Sequence, residues 1–155
     1  MTQTVYVLNG PNLNLLGSRE PGIYGAHTLD DVRQLCAQAC TRLGLKLDFR
    51  QSNHEGELVG WLQEAGSAEA AGSAAGTVLN AAAYTHTSVA LRDAVKGAGV
   101  SLVELHISNV HAREEFRQHS YLSPVARGVM FGFGTAGYPL AIEAVAGWAR
   151  AKVVV

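Results

Sequence analysis

Short apolar runs alternate along the chain with segments in which apolar residues recur every three or four positions. The short runs, many of them bounded by Gly or Asn, predict five strands at residues 4–8, 46–51, 77–80, 100–107 and 128–133. The longer spacing predicts four helices at residues 29–43, 55–65, 87–95 and 138–151. Strands separated by helices indicate parallel pairing, because each helix carries the chain back across the sheet.

Local signals mark the ends of these helices. Thr28 followed by Asp31 is a short-armed capping box at the start of the first helix, and Gly44 stands where a C-cap is expected. Thr85 or Thr87 is expected to cap the third helix.

The strand–helix alternation favours a flavodoxin-like α/β fold, a doubly wound five-stranded parallel sheet in the order 2-1-3-4-5. A length of 155 residues is that of one domain, so residues 1–155 are expected to form a single unit. The Ala/Gly/Ser-rich residues 65–76 are interpreted as a frayed helix end and a surface loop, not as a domain boundary. Ligands of such sheets bind beyond the carboxyl ends of the strands.

Composition narrows the class of protein. Hydrophobic residues make up 48% and charged residues 16% of the chain, which excludes a disordered protein. A net charge of -1 argues against a nucleic-acid partner or a polybasic membrane anchor. No long apolar run or secretory signal is visible, so a cytoplasmic location without a membrane partner is expected. Cys36 and Cys40 are interpreted as small apolar residues of a helix.

Glu104 and His106 stand two residues apart in the fourth predicted strand, so their side chains face the same side of the sheet. A carboxylate beside an imidazole can fix its tautomer and keep it protonated enough to donate a proton. The same pair could instead satisfy a buried polar patch. Spacing alone does not separate these two interpretations.

A second candidate pair, Arg19 and Tyr24, lies in the segment SREPGIYG. A neighbouring guanidinium stabilises a phenolate and lowers the pKa of tyrosine from about 10 towards neutrality, which would make Tyr24 a base. The surrounding glycines would allow this pair to close over a ligand. An ordinary surface loop is the alternative interpretation.

Groups suited to an anion follow the fourth strand. A helical turn is expected to open at Ser108 or Asn109, where free backbone N–H groups favour a carboxylate or phosphate. Arg113 and Arg117, one helical turn apart, could face the same anion. Alternatively, both arginines pair with the neighbouring glutamates on a solvated helix.

Two further patterns are not assigned to a ligand. The histidines show neither H-x3-H nor HExxH spacing, so no metal site is expected. Residues 132–137 form a G-x-G-x-x-G motif, but the dinucleotide fingerprint also needs a following strand with an acidic residue. Only 18 residues remain after this motif, and they are mostly helical. Its glycines are therefore expected to allow close packing of strand and helix.

Four blocks of sequence carry a resemblance to a known family. In chain order they are LNGPNLNLLGSREPGIYG, RQSNHEGELVGWL, YTHTSVALRDA and ELHISNVHAREEFRQHSYLSPVARGVMFGFGTAGY. Together they closely resemble type II 3-dehydroquinate dehydratase. The resemblance implies a flavodoxin-like domain assembled into dodecamers of trimers, with no metal and no organic cofactor. It also implies that 3-dehydroquinate loses water by anti elimination through an enolate, giving 3-dehydroshikimate.

The resemblance further implies a role for each site residue. Tyr24 would be the base, with Arg19 lowering its pKa and closing the lid. His106 would be the general acid, oriented by Glu104, and Asn12 would hold a water against the enolate oxygen. The implied substrate-binding groups are the backbone amides of Ile107 and Ser108 for the carboxylate, Arg113 as a second lid arginine, and Asn80, His86 and Arg117 for the ring and hydroxyls.

Asp93 is implied to reach from one subunit into the neighbouring subunit's site, which would make the trimer the smallest complete unit. The chain departs from the family after Asn80, where many members have proline and a small residue and this chain has three alanines. That departure predicts a less rigid turn at Asn80.

Two alternatives come from other functional classes. One is a non-catalytic flavodoxin-like module that binds a nucleotide or flavin. The other is a family member that serves only as an assembly subunit. The lysine Schiff base of the related type I enzymes is disfavoured, because none of the three lysines lies in a block that carries the resemblance.

Overall fold

The computed structural model describes residues 1–18, residue 22 and residues 26–154 of the chain. Its five strands are β1 (Thr4–Asn9), β2 (Lys46–Gln51), β3 (Ala74–Asn80), β4 (Leu102–His106) and β5 (Gly128–Phe131). Its longer helices are α1 (Leu29–Leu43), α2 (Glu55–Ala70), α3 (Val89–Ala98) and α4 (Gly137–Val154). The strands form one parallel sheet in the order β2-β1-β3-β4-β5, which confirms the predicted doubly wound topology.

The first helix has the predicted ends. The Thr28 hydroxyl accepts a hydrogen bond from the Asp31 N–H at 3.2 Å, and the Asp31 carboxylate accepts one from the Thr28 N–H at 2.9 Å. This reciprocal capping box satisfies two N–H groups that helix geometry leaves unpaired. Gly44 ends the helix with φ 71°, a left-handed conformation that favours glycine.

The predicted cap of α3 was wrong. Ser88 caps this helix, and its hydroxyl accepts a hydrogen bond from the Leu91 N–H at 2.9 Å. A short 3-10 helix, Ala82–His86, comes first, so the helix begins beyond both threonines considered from the sequence. The Thr85 hydroxyl turns inward instead and donates to Glu104.

The predicted surface loop within residues 65–76 is shorter than expected. α2 continues to Ala70 and β3 begins at Ala74, so only residues 71–73 form an exposed turn between them. Packing against α3 stabilises this helix of small residues. Gly66 lies so close to Ala98 of α3 that a Cβ on it would clash with the Ala98 carbonyl oxygen. The close approach of the two helices outweighs the weak helix propensity of the glycines and serine.

Both faces of the sheet are covered. Alternate residues of β1 point to opposite sides: Val5 and Val7 pack with α1 and α4, whereas Tyr6 and Leu8 pack with α2 and α3. Cys36 lies in the first of these clusters, and burial raises the pKa of its thiol to about 12. No helix within the described ranges is long and apolar enough to cross a bilayer.

Candidate active site

The carboxyl ends of β1 and β3 meet side by side. Asn9 pairs with Asn80 in the sheet register, and the Gly10 N–H donates a hydrogen bond to the Asn80 carbonyl oxygen at 2.8 Å. A Cβ on Gly10 would stand 2.5 Å from the Ala81 carbonyl oxygen, so the approach requires glycine here. The loops that leave these two strands therefore form one continuous surface.

A cavity opens on this surface, and the loops after β1, β3 and β4 form its walls. Eight of the residues singled out from the sequence line it: Asn12, Asn80, His86, His106, Ile107, Ser108, Arg113 and Arg117. Such a position, beyond the carboxyl ends of parallel strands, is where doubly wound sheets bind ligands. The structure thus gathers most of the predicted site residues in one place.

Glu104 is a carboxylate enclosed by donors, with 1% of its surface exposed. Its oxygens accept hydrogen bonds from the Thr85 hydroxyl at 2.5 Å, the Ser120 hydroxyl at 2.6 Å and the Ser123 hydroxyl at 2.5 Å. The ring of His106 completes the set, with Nε2 at 2.9 Å from Oε2. Such a set of donors compensates for the removal of a charge from water.

These contacts keep Glu104 ionised. Burial alone raises the pKa of this carboxyl, but the hydrogen bond and charge of His106 and the hydroxyls of Ser120 and Ser123 outweigh it and lower the pKa to about 2. An ionised carboxylate only accepts, so the facing Nε2 of His106 carries a proton. Nδ1 is the ring nitrogen that remains for another partner, and His106 lines the cavity.

His86 stands beside His106 with the opposite hydrogen-bonding character. Their rings are 6.3 Å apart between centroids and nearly parallel, at 16°. The His86 Nδ1–H donates to the His119 carbonyl oxygen at 2.8 Å, since a carbonyl only accepts. Burial, followed by the nearby charges of His106 and Arg117, lowers the pKa of His86. The neutral ring therefore offers Nε2 as an acceptor.

Asn12 adopts φ 67°, an uncommon conformation for a residue other than glycine. Its N–H donates to the Asn53 Oδ1 at 2.9 Å, and that oxygen also accepts from the Gln51 Nε2 at 3.1 Å. The Tyr84 hydroxyl donates to the Asn53 carbonyl oxygen at 2.6 Å. Asn53 thus joins the loops that follow β1, β2 and β3.

Asn53 and Gln51 are functional candidates that the sequence reasoning missed. They lie in the block RQSNHEGELVGWL, to which no role was assigned. The available signal was their position, because polar residues at the carboxyl end of β2 belong to the same edge of the sheet as those after β1.

The pairing of the two arginines with a neighbouring glutamate is confirmed, since both guanidinium groups lie within 4 Å of Glu114. Arg113 donates to the Ser108 hydroxyl at 3.3 Å, and Arg117 donates to the Glu114 carboxylate at 2.6 Å. They do not share a helical face as predicted, because Arg113 follows one 3-10 helix and Arg117 lies in the next. Both line the cavity while Glu114 stands between them in the chain.

Backbone donors face the same region. Within the described parts of the chain, no hydrogen bond is donated by the N–H groups of Ile107 or Ser108. Asn109 follows as the cap of the 3-10 helix Val110–Ala112, and its side chain accepts from the His111 N–H. Two free N–H groups with Arg113 beside them suit a carboxylate.

Arg19 and Tyr24 lie outside the described residues. Among the described site residues, Asp93 is placed apart from the cavity: it lies on α3, exposed in a groove between α2 and α3. Among the residues described, no three potential metal-ligating side chains gather.

The G-x-G-x-x-G motif packs a helix against the sheet, as expected. Gly132 and Gly134 adopt φ 91° and 62°, and a Cβ on Gly137 would stand 3.0 Å from the Leu105 Cδ1. The motif therefore begins α4 close to β4.

Comparisons with known proteins agree with this arrangement. Residues 3–146 match the model of the family described as dehydroquinase class II. A 3-dehydroquinate dehydratase of Acidovorax sp. (strain JS42) is 72% identical over 148 residues, covering 96% of this chain and 100% of the relative. A type II dehydroquinase from Butyrivibrio crossotus is 39% identical with a TM-score of 0.88, covering 93% of this chain and 97% of that one. The Propionibacterium acnes type II dehydroquinase gives the same identity and TM-score over 95% and 98%.

Proposed function

The chain belongs to the class II dehydroquinase family, and from this premise we propose that it removes water from 3-dehydroquinate to give 3-dehydroshikimate. The observation that carries the proposal is His106 at the wall of the cavity, bonded to the buried carboxylate of Glu104. Loss of a hydroxyl group requires a proton donor, and this pair supplies one.

His106 is the proposed general acid. Glu104 is held ionised by the hydrogen bond and charge of His106 and by the hydroxyls of Ser120 and Ser123. The carboxylate also orients the ring, since Nε2 is bound to it and Nδ1 is left to donate towards the departing hydroxyl. Glu104 therefore acts through His106, by fixing the direction of its ring.

Tyr24 and Arg19 are the proposed base and its activator. A base must take the proton next to the ketone, and a phenolate stabilised by a guanidinium can do so. This assignment rests on the resemblance of the segment SREPGIYG to the family, because both residues lie outside the described part of the chain. Asn12, at the cavity wall, is proposed to hold a water against the enolate oxygen.

The substrate carboxylate is proposed to lie on the N–H groups of Ile107 and Ser108, with Arg113 beside it. His86, neutral with Nε2 as an acceptor, suits a substrate hydroxyl. Asn80 and Arg117 complete the contacts to the ring and hydroxyls. The site thus pairs N–H donors with the carboxylate of the substrate, and Asn80, His86 and Arg117 with its ring and hydroxyls.

Assembly is part of the proposal. Asp93 lies away from the cavity of its own chain, so it can serve a site only on a neighbouring copy. We expect trimers in which α3 of one copy approaches the site of the next, and dodecamers built from four of them. No metal or organic cofactor enters the proposed reaction.

Ultraviolet absorbance after addition of 3-dehydroquinate tests this function. The product is a conjugated enone acid, so absorbance rises as water is lost. The rise is expected to persist with a chelator and with borohydride, since neither a metal nor a Schiff base takes part. A folded oligomer that gives no rise would contradict the proposal and favour a binding module.

A further inference from the structure

A buried tyrosine links the ends of β1 and β3 beneath the cavity. Tyr138 lies near the start of α4 and has none of its surface exposed. Its hydroxyl donates to the Asn9 Oδ1 at 2.8 Å and accepts from the Asn80 Nδ2 at 2.9 Å. Asn9 and Asn80 are direct neighbours in the sheet, so one phenol bridges the side chains of a strand pair.

Backbone groups at both ends fix the direction of this chain of hydrogen bonds. At one end the Asn9 Nδ2 donates to the Arg50 carbonyl oxygen at 3.0 Å, and a carbonyl can only accept. At the other end the Asn80 Oδ1 accepts from the Ala82 N–H at 3.2 Å, and an N–H can only donate. The amide orientations of both asparagines follow, and the phenol proton goes to Asn9.

The phenol must remain neutral to keep this order. Burial raises the pKa of Tyr138, so the hydroxyl stays protonated and donates its hydrogen bond to Asn9. The Asn80 carboxamide has two N–H bonds, and its oxygen has two lone pairs. Tyr138 and Ala82 each use one of these, which leaves one donor and one acceptor in a defined orientation at the cavity wall.

The glycine motif explains how a bulky side chain reaches this place. Gly137 immediately precedes the tyrosine, and its missing Cβ lets the helix start approach Leu105 closely. Gly132 and Gly134 supply the left-handed turns that precede it. The glycine motif thus sets the position of Tyr138 through helix–sheet packing.

We propose that Tyr138 is a positioning residue for substrate binding, which acts by fixing the carboxamide of Asn80 at the cavity. The inference rests on the proposed function, because Asn80 is there assigned to the substrate. The phenol itself lies in the core and does not touch the ligand. Its effect must therefore pass through Asn80.

The test replaces Tyr138 by Phe, which removes one oxygen atom and keeps the ring. Tyr6→Phe is the matched control, since Tyr6 is a buried tyrosine of β1 on the opposite face of the sheet. For 3-dehydroquinate, KM of Tyr138→Phe is expected to rise about 3- to 10-fold, the value of one neutral hydrogen bond, with kcat within about twofold. Tyr6→Phe should keep both constants.

A double-mutant comparison separates positioning from a purely structural role. In an Asn80→Ala background, Tyr138→Phe should change KM by less than about twofold, although its effect on the melting temperature should persist. Asn9→Ala removes the acceptor of the phenol proton and should raise KM in the same Asn80-dependent way. This second variant keeps the test intact if Tyr138→Phe does not fold.

Two results would overturn the inference: an unchanged KM in Tyr138→Phe, or rises in KM that multiply in the double variant. The unmodified chain is assayed first. Failure of the proposed function would appear there as absent turnover, whereas failure of the inference would appear only in the variants.

Discussion

Two depressions on this molecule differ in size and in chemistry. The groove between α2 and α3 measures about 670 Å³, whereas the cavity over the strand ends measures about 40 Å³. Among the described residues that line the larger groove, Asp93 is the one ionisable side chain. The smaller cavity is lined by two imidazoles and two guanidinium groups. The convergence of titratable groups, and not volume, identifies the candidate active site.

The difference has a structural origin. The large groove arises because small residues, such as Gly66 and Ala98, let two helices approach and leave little side-chain volume above the contact. The small cavity arises because β1, β3 and β4 end at one edge of the sheet and each is followed by polar residues. Helix packing therefore shapes one depression, and sheet topology concentrates chemistry in the other.

Removal of the His106 imidazole from the small cavity should have the largest effect on turnover. His106→Ala is expected to lower kcat by about 100-fold or more, which is typical for loss of a general acid. His54→Ala is the control, because His54 is exposed ahead of α2 and makes no side-chain cap. Steady-state turnover of 3-dehydroquinate measures both. Equal activity of the two variants would place the acid elsewhere.

The buried carboxylate of the cavity should make stability depend on pH. The pKa of Glu104 is lowered from its usual 4.5 to about 2 by folding. Because the pKa is lower in the folded chain, the ionised carboxylate stabilises the fold fully at pH values above 4.5, the pKa in the unfolded chain. This contribution is lost as the pH falls towards 2.

Glu104→Gln removes that contribution, so its destabilisation should shrink at low pH. The expected decrease is about 2 kcal/mol between pH 6 and pH 3, measured by urea unfolding of both chains. A destabilisation that stays constant over this range would show that the carboxylate is not held ionised by its neighbours.

The large groove should matter only between copies. Asp93→Ala is expected to lower kcat/KM about 10-fold, as for loss of a charged hydrogen bond to the substrate or site. Mixed oligomers of Asp93→Ala and His106→Ala chains should then be more active than the sum of the parents, because some interfaces combine intact residues. Activity equal to that sum would remove Asp93 from the neighbouring site.

Backbone strain at the small cavity should give the smallest effect. Ala82 adopts φ 51°, a left-handed conformation that favours glycine. Ala82→Gly relieves this strain but adds flexibility to the unfolded chain, so a gain of about 0.5 kcal/mol is expected in chemical unfolding. Ala83→Gly, at the next residue, has no such strain to relieve and should destabilise. A loss of stability in Ala82→Gly would contradict the strain.

Sequence reasoning succeeded where spacing along one element decides the outcome. The i and i+2 positions of Glu104 and His106 in a strand predict a shared face, and the two side chains are in contact. The capping box of α1 is equally local. The continuous apolar run of β1 likewise predicts a strand buried on both faces, and its residues pack into a cluster on each side of the sheet.

Contacts between segments that are distant in the sequence were not predicted. The hydroxyls that donate to Glu104 come from Thr85, 19 residues before it, and from Ser120 and Ser123 after it. Nothing in the spacing of these residues indicates a common acceptor. The same holds for Tyr138, whose partners Asn9 and Asn80 lie 129 and 58 residues away.

The most direct test of the central claim is a crystal structure of Tyr24→Phe, which the proposal makes inactive, with 3-dehydroquinate bound. The ligand is expected over the strand ends, with its carboxylate on the N–H groups of Ile107 and Ser108 and a hydroxyl near His106. A ligand bound only in the groove between α2 and α3, or away from His106, would contradict the assignment of the chemistry to the small cavity.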